Sequence, residues 1–421
     1  MNLTPKLDPP LESPESAPRF VVWLIPVLLL LFAITLVFVF MYVRSHDQEV
    51  REQAIMENQV ALPTETSTQS LVLAPAETIE VAEPFSGQLY FNSDFGQTEF
   101  SSLLIEAIDK AESRIDVAVY SMDHPLIRDA LYRAAERGVV IRLLLSEKRQ
   151  QNHDRVFSNL PKNITRIDRG PEASLGYMHH KFIIIDRNLA SAKLFFGSYN
   201  FTSLQEKYDP SFILETTRPE IIDVFGKEFD RVYTGGALVG RNPFAARINY
   251  PQGYLEIWFS PPPANSVGLQ ERFLNLITEA TKTIEAMIWN LTDSSVAKAI
   301  IQKSKEGMPI TILTDDSNVS LTDSVFPFLN SEKELYHLGN LQVFTDYKRN
   351  SEIKDVYGVT DFNSFLHHHL LLVDNETTVF GTNNWSTNGF FNNHESIMIS
   401  NIPYIFQSFK QAFDENLDKA K

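Results

Sequence analysis

Two short stretches of the chain concentrate the residue types that handle phosphate. The first, MHHKFIIID at 178–186, places His179, Lys181 and Asp186. The second, LHHHLLLVD at 366–374, places His367, His369 and Asp374 at the same spacing. Downstream come GSYNFT at 197–202 and GTNNWS at 381–386, which offer Ser198 with Asn200 and Thr382 with Asn384. A neutral imidazole is a nucleophile near neutral pH and a protonated one is an acid, so two histidines can share a group transfer. Lysine and asparagine supply hydrogen-bond donors where phosphoryl oxygens gather charge. Residues i and i+2 of a strand share a face, so His179 should project beside Lys181 while apolar neighbours pack inward. His367 and His369 also invite a zinc reading, but no third ligand follows at diagnostic spacing, and neither metal nor other cofactor is expected.

The elements that must position these residues are duplicated. The segment from Leu89 and the segment from Ile257 align so that Ala111, Ile115, Tyr120, Ala130 and Gly138 match Ala280, Ile284, Trp289, Ala299 and Gly307. In the first copy, Leu104, Ala107, Ile108 and Ala111 have helical spacing and lead into an alternating strand at Ile115, Val117 and Val119. A second helix carries Ile127, Ala130, Leu131 and Ala134 and stops near Gly138, ahead of a buried strand over 139–145. Strand, helix, strand in this order implies parallel pairing through a crossover helix, hence an α/β layered domain in each copy.

With the repeat and both motifs in view, the chain resembles the phospholipase D superfamily. H-x-K-x-x-x-x-D followed by G-[S/T]-x-N is similar to that family's signature, and the likeness covers roughly 86–420. The resemblance implies two α/β sandwich domains, 86–245 and 246–421, packed as an intramolecular pseudo-dimer with both motifs in one cleft and the chain a monomer. It also implies metal-free phosphodiester chemistry through a phosphohistidine. His179 takes the nucleophile role and His367 the acid/base role. Lys181, Ser198, Asn200, His369, Thr382 and Asn384 hold the phosphate, while Asp186 and Asp374 support the local structure.

Two positions depart from that pattern. His369 stands where the second motif should have a lysine, and only a protonated imidazole could replace the missing cation. A carboxylate that orients each catalytic imidazole is also expected. Aligning the segments after the glycine tetrads puts Ser211 opposite Glu395. Glu395 is therefore assigned to His367, and Asp209, two residues before Ser211, to His179.

The rest of the chain constrains location and substrate. Residues 20–43 carry no charge and would rise about 36 Å as a helix, enough to cross a hydrocarbon core of about 30 Å. The run is too long for a usual signal peptide, so a single-pass anchor is expected, preceded by a tail over 1–19 and followed by a tether rich in Pro, Thr, Ser and Glu over 44–85. The catalytic part is expected outside the cytoplasm. Cysteine is absent, which excludes disulfides and thiol catalysis. A net charge of −16 disfavours broad nucleic-acid binding, and the anchor favours a phospholipid substrate. A metal-independent nuclease and a non-catalytic phosphate-binding scaffold are the alternatives. Lys333, Lys348, Arg349 and Lys354, near Tyr336, Phe344 and Tyr347, form a further candidate phosphate-contacting loop.

Overall fold

The structure, a computed structural model, describes residues 77–92, 99–170, 176–235, 246–262, 268–319, 323–346 and 366–421. The expected membrane span at 20–43 lies outside them, and no helix among the described residues is long and apolar enough to cross a membrane.

Among the described residues strand β1 (Glu77–Glu80) comes first, and the two copies of the repeat follow. The first runs through β2 (Gln88–Phe91), β3 (Arg114–Val119), β4 (Val140–Ser146), β5 (Ile164–Arg169), β6 (Lys181–Ile185), β7 (Lys193–Gly197) and β8 (Phe212–Thr216). Helices Phe100–Lys110 and Pro125–Glu136 flank β3, and helix Pro219–Tyr233 closes the copy. The second comprises β9 (Ala246–Tyr250), β10 (Gly253–Ser260), β11 (Ile284–Ile288), β12 (Ile310–Asp315), β13 (Leu341–Asp346), β14 (Leu370–Val373), β15 (Thr377–Gly381) and β16 (Glu395–Ser400). Helices Gly268–Thr278, Ser294–Lys305, Phe326–Leu335 and Pro403–Ala420 belong to it.

The first sheet has the order β2-β8-β7-β6-β3-β4-β5. The second repeats it as β10-β16-β15-β14-β11-β12-β13 and adds β9 and β1 beyond β10. Each sheet is mixed. The strands joined by crossover helices pair in parallel, β3 with β4 and β11 with β12, and the motif strands β6 and β14 pair antiparallel to β3 and β11. The expected α/β duplication is therefore present in two sheets.

β1 corrects one expectation, because it lies inside the stretch read as a tether over 44–85. It pairs in parallel with β9, and Ile79 packs against the core. Alternation over four residues is too short a signal to stand out from a Thr- and Glu-rich background.

Alternation along the motif strand divides it between two cores. Phe182 and Ile184 face a core shared by both copies, which includes Phe196 and Phe212 from one sheet with Phe259, Leu370, Leu372 and Met398 from the other. Ile183 and Ile185 face the outer core of the first copy, with Ile115, Val117 and Leu131. The closing helices add Phe225, Phe229, Phe409 and Phe413 to the shared core. Burial of this shared aromatic area, worth about 25 cal/mol per Å², holds the two copies together.

Candidate active site

Both motif histidines stand just before their strands and line one cleft of about 450 Å³, together with Asn200, Asn384, Asp209, Tyr120 and Trp289. Reciprocal backbone bonds across the interface place them. His179 N–H donates to the His394 carbonyl at 2.9 Å, and His367 N–H donates to the Pro210 carbonyl at 2.9 Å. Pro210 and His394 occupy matching positions of the repeat, so a pseudo-twofold relation sets each histidine beside the opposite copy's late segment.

The orienting carboxylates therefore cross over, which corrects the sequence assignment. Glu395 Oε2 lies 2.8 Å from Nδ1 of His179, and Asp209 Oδ2 lies 2.9 Å from Nδ1 of His367. Both residues expected to orient imidazoles do so, each for the histidine of the other copy. The physical reason is the meeting of the two sheets at their motif ends, where the nearest carboxylate belongs to the facing sheet. The carboxylates also come from different repeat positions. Glu395 opens β16, whereas Asp209 caps the short helix Ser203–Tyr208 and is not on the strand. Ser211, at the position of Glu395, instead accepts a bond from Gln205 Nε2 at 3.0 Å and donates to the Asp209 carbonyl at 3.0 Å.

Charge differs between the two motifs. Burial and then the Lys181 ammonium hold His179 well below its ordinary value, which keeps the imidazole neutral. Lys181 Nζ lies 3.1 Å from Nε2 of His179, and burial draws its ammonium down from 10.5 to about 7. Burial pushes the Glu395 carboxyl up to about 7 against the opposing pull of Lys181. Asn393 and Thr382 donate to its two oxygens, at 2.8 Å and 2.5 Å.

His369 occupies the lysine slot but sits at φ +46, one residue ahead of β14, and its ring centroid is 5.8 Å from that of His367. Neither of its ring nitrogens has a hydrogen-bond partner among the described residues. Burial, followed by the nearby His367 and Lys181, holds it well below the ordinary histidine value. Burial and these neighbours disfavour the protonated His369 that is expected in place of the missing lysine. A buried ring beside other cationic groups stays neutral.

Asp186 and Asp374 take matching structural roles. Asp186 accepts backbone bonds from Glu112, Ser113 and Arg114, and Asp374 from Thr281, Lys282 and Thr283. These donors hold both carboxyls below their ordinary value against desolvation, and they tie the end of each motif strand to the start of its neighbour. Ser198 and Thr382, expected at the phosphate, are fully buried and do not line the cleft. Ser198 Oγ accepts from Phe212 N–H at 3.2 Å, while Thr382 serves Glu395. Asn200 and Asn384 do reach the cleft.

Sequence reasoning missed Tyr120 and Trp289 as site residues, although they occupy the same repeat slot. Their rings lie 5.0 Å and 5.9 Å from His179 and His367. An aromatic in register in both copies, one residue beyond the first central strand, was the available signal. His180 was missed as well. It bridges the copies behind the cleft through Ser396 at 2.6 Å and Glu228 at 3.1 Å.

With this geometry in place, comparison with known proteins identifies the family. The family described as "Cardiolipin synthase, PLD-like domain" matches residues 104–233 and 273–417, most of both copies. The chain belongs to this PLD-like family of the phospholipase D superfamily. Among its PLD-like relatives, "Phospholipase D" of Rickettsia felis is 37% identical over 118 residues, 28% of this chain and 54% of that protein. "Mitochondrial cardiolipin hydrolase" of Homo sapiens is 27% identical over 196 residues, 46% of this chain and 71% of the human protein. The chain thus spans about half the length of the first of these relatives. Among solved structures, phosphatidylserine synthase of Haemophilus influenzae Rd KW20 shares the PLD-like fold. It has a TM-score of 0.58 and 15% identity over 80% of this chain and 87% of that one.

Proposed function

We propose that this chain is a membrane-anchored phosphodiesterase that hydrolyses or transfers phospholipid phosphodiesters through a phosphohistidine on His179. The observation that carries the reading is the pair of cleft histidines, each with Nδ1 against a carboxylate of the opposite copy. A carboxylate at Nδ1 fixes the ring and its tautomer and leaves the Nε2 edge for chemistry.

The asymmetry supports a division of labour. Neutral His179 attacks phosphorus through Nε2, forming an N–P bond as the P–O bond to the departing alcohol breaks. His367, oriented by Asp209, acts as the acid and gives a proton to that oxygen. Water or a second alcohol then attacks phosphorus and loses its proton to His367, and His179 is released. Lys181, beside Nε2 of His179, and the Asn200 and Asn384 carboxamides donate to the phosphoryl oxygens as charge builds on them. The apolar run at 20–43 supports an anchor that keeps the cleft at a membrane surface, and the proposal places the catalytic part outside the cytoplasm.

The test is turnover of phosphatidylcholine, cardiolipin and single-stranded DNA in parallel, with no added metal and with labelled adduct trapped by an alkaline denaturing quench, because the N–P bond of a phosphohistidine hydrolyses in acid. A phosphohistidine is expected in the parent, retained in His367→Ala and missing in His179→Ala. Adduct persisting in His179→Ala would overturn the assignment. Turnover of DNA alone would favour the nuclease alternative.

A further inference from the structure

The catalytic cleft continues into a second recess of about 810 Å³, lined by residues 146–152 with Gly170, Gly176 and Tyr177. Arg149, Asn152 and Tyr177 line both, so the two form one depression. Two exposed cations stand in this recess, just past the end of β4. Lys148 Nζ is 5.6 Å from the Tyr177 ring centroid, and Arg149 Cζ is 5.4 Å from that of Tyr120, the ring that packs edge-on to His179. Neither cation joins an ion pair among the described residues, whereas Arg142, Arg166, Arg187 and Arg272 are all tied to carboxylates. A tyrosine face orients a cation without neutralising it. The recess also contains Glu147, whose Oε2 stands 3.3 Å from where a Cβ on Gly170 would be.

The equivalent segment of the second copy differs in charge. Ile115 pairs with Ile141 as Ile284 pairs with Ile310, which puts Ser146, Glu147, Lys148 and Arg149 in register with Asp315, Asp316, Ser317 and Asn318. The first segment carries two cations and Glu147, whereas the equivalent segment of the second copy carries two aspartates and no cation. In a chain of net charge −16, such a local reversal gives an anionic ligand one favoured end of the cleft.

We propose that the recess beside Lys148 and Arg149 is an anion subsite that takes a second phosphate of the lipid whose scissile phosphodiester lies at His179 and His367. This assignment rests on the phospholipid reading above and narrows it to lipids carrying two phosphates. The guanidinium fork and the ammonium suit phosphate oxygens, and a polyol bridge between the phosphates keeps both within one depression. Occupancy also fixes which alcohol of the scissile diester departs, because the substrate enters in only one direction.

The test uses the full chain in mixed micelles and a Lys148→Ser/Arg149→Asn double variant, which copies the second half. On cardiolipin, kcat/KM should fall at least about tenfold, chiefly through KM, relative to its change on phosphatidylcholine. Lys148→Arg should keep the preference. An equal loss on both lipids, or no loss, overturns the subsite. A larger loss on single-stranded DNA than on cardiolipin overturns it in favour of a polynucleotide track. If the parent turns over no lipid, the functional reading fails and calorimetry reads the subsite alone. Preference for glycerol 1,3-bisphosphate over glycerol 3-phosphate, lost in the double variant, supports it, and absence of that preference in the parent overturns it.

Discussion

Lys181 and His369 occupy the same slot of the repeat, buried beside the cleft histidines, but differ in what they bring to them. Lys181 reaches Nε2 of His179 and carries a proton that titrates at about 7. His369 lies in a left-handed kink ahead of its strand, with neither nitrogen hydrogen-bonded among the described residues and its pKa held well below the ordinary value by burial. The carboxylates differ in a complementary way. His179 has a buried glutamate raised to about 7, and His367 has an aspartate from a helix cap two repeat positions earlier. Duplication supplied two equivalent frames, and burial and partner choice made one frame suited to a neutral nucleophile. A site with one buried ammonium avoids the repulsion that a second would add at short range.

The largest effect that tests this contrast is loss of the cation. Lys181→Met should lower kcat by about 100- to 1000-fold, as removal of a transition-state donor does, while His369→Met should cost less than about tenfold. Equal losses in steady-state assays would mean that the halves contribute alike.

Next comes the crossed wiring. Glu395→Gln and Asp209→Asn should each lower kcat by about 100-fold or more through loss of imidazole orientation. In double-mutant cycles His179→Ala should be strongly non-additive with Glu395→Gln and close to additive with Asp209→Asn. The reverse pattern would restore a pairing within each copy.

The pH profile gives a smaller, directional test. The Lys181 ammonium is present below about 7 and lost above it, so kcat/KM should fall as pH rises through about 7. Lys181→Arg keeps its charge and should carry that alkaline limb upward. An unchanged limb would assign it to another group.

The smallest effect separates support from binding. Ser198→Ala should destabilise the fold by about 1 kcal/mol, seen in denaturant melts, with KM unchanged, because its hydroxyl is spent on Phe212. A raised KM would return Ser198 to the phosphate.

The sequence by itself determined the duplication, both histidine motifs, the His369 departure and the apolar run at 20–43. Such features are local, since strand periodicity places His179 beside Lys181 whatever surrounds them. It also identified Asp209 and Glu395 as the orienting carboxylates while assigning each to the wrong histidine. Only the tertiary structure decided that exchange, because the pairings form where two sheets meet and no spacing within a copy encodes which chain segment lies opposite. The lowered pKa of His369 and of Lys181 and the withdrawal of Ser198 and Thr382 from the cleft have the same origin. Each depends on desolvation and on bonds to distant residues, quantities that exist only once the shared aromatic core has closed.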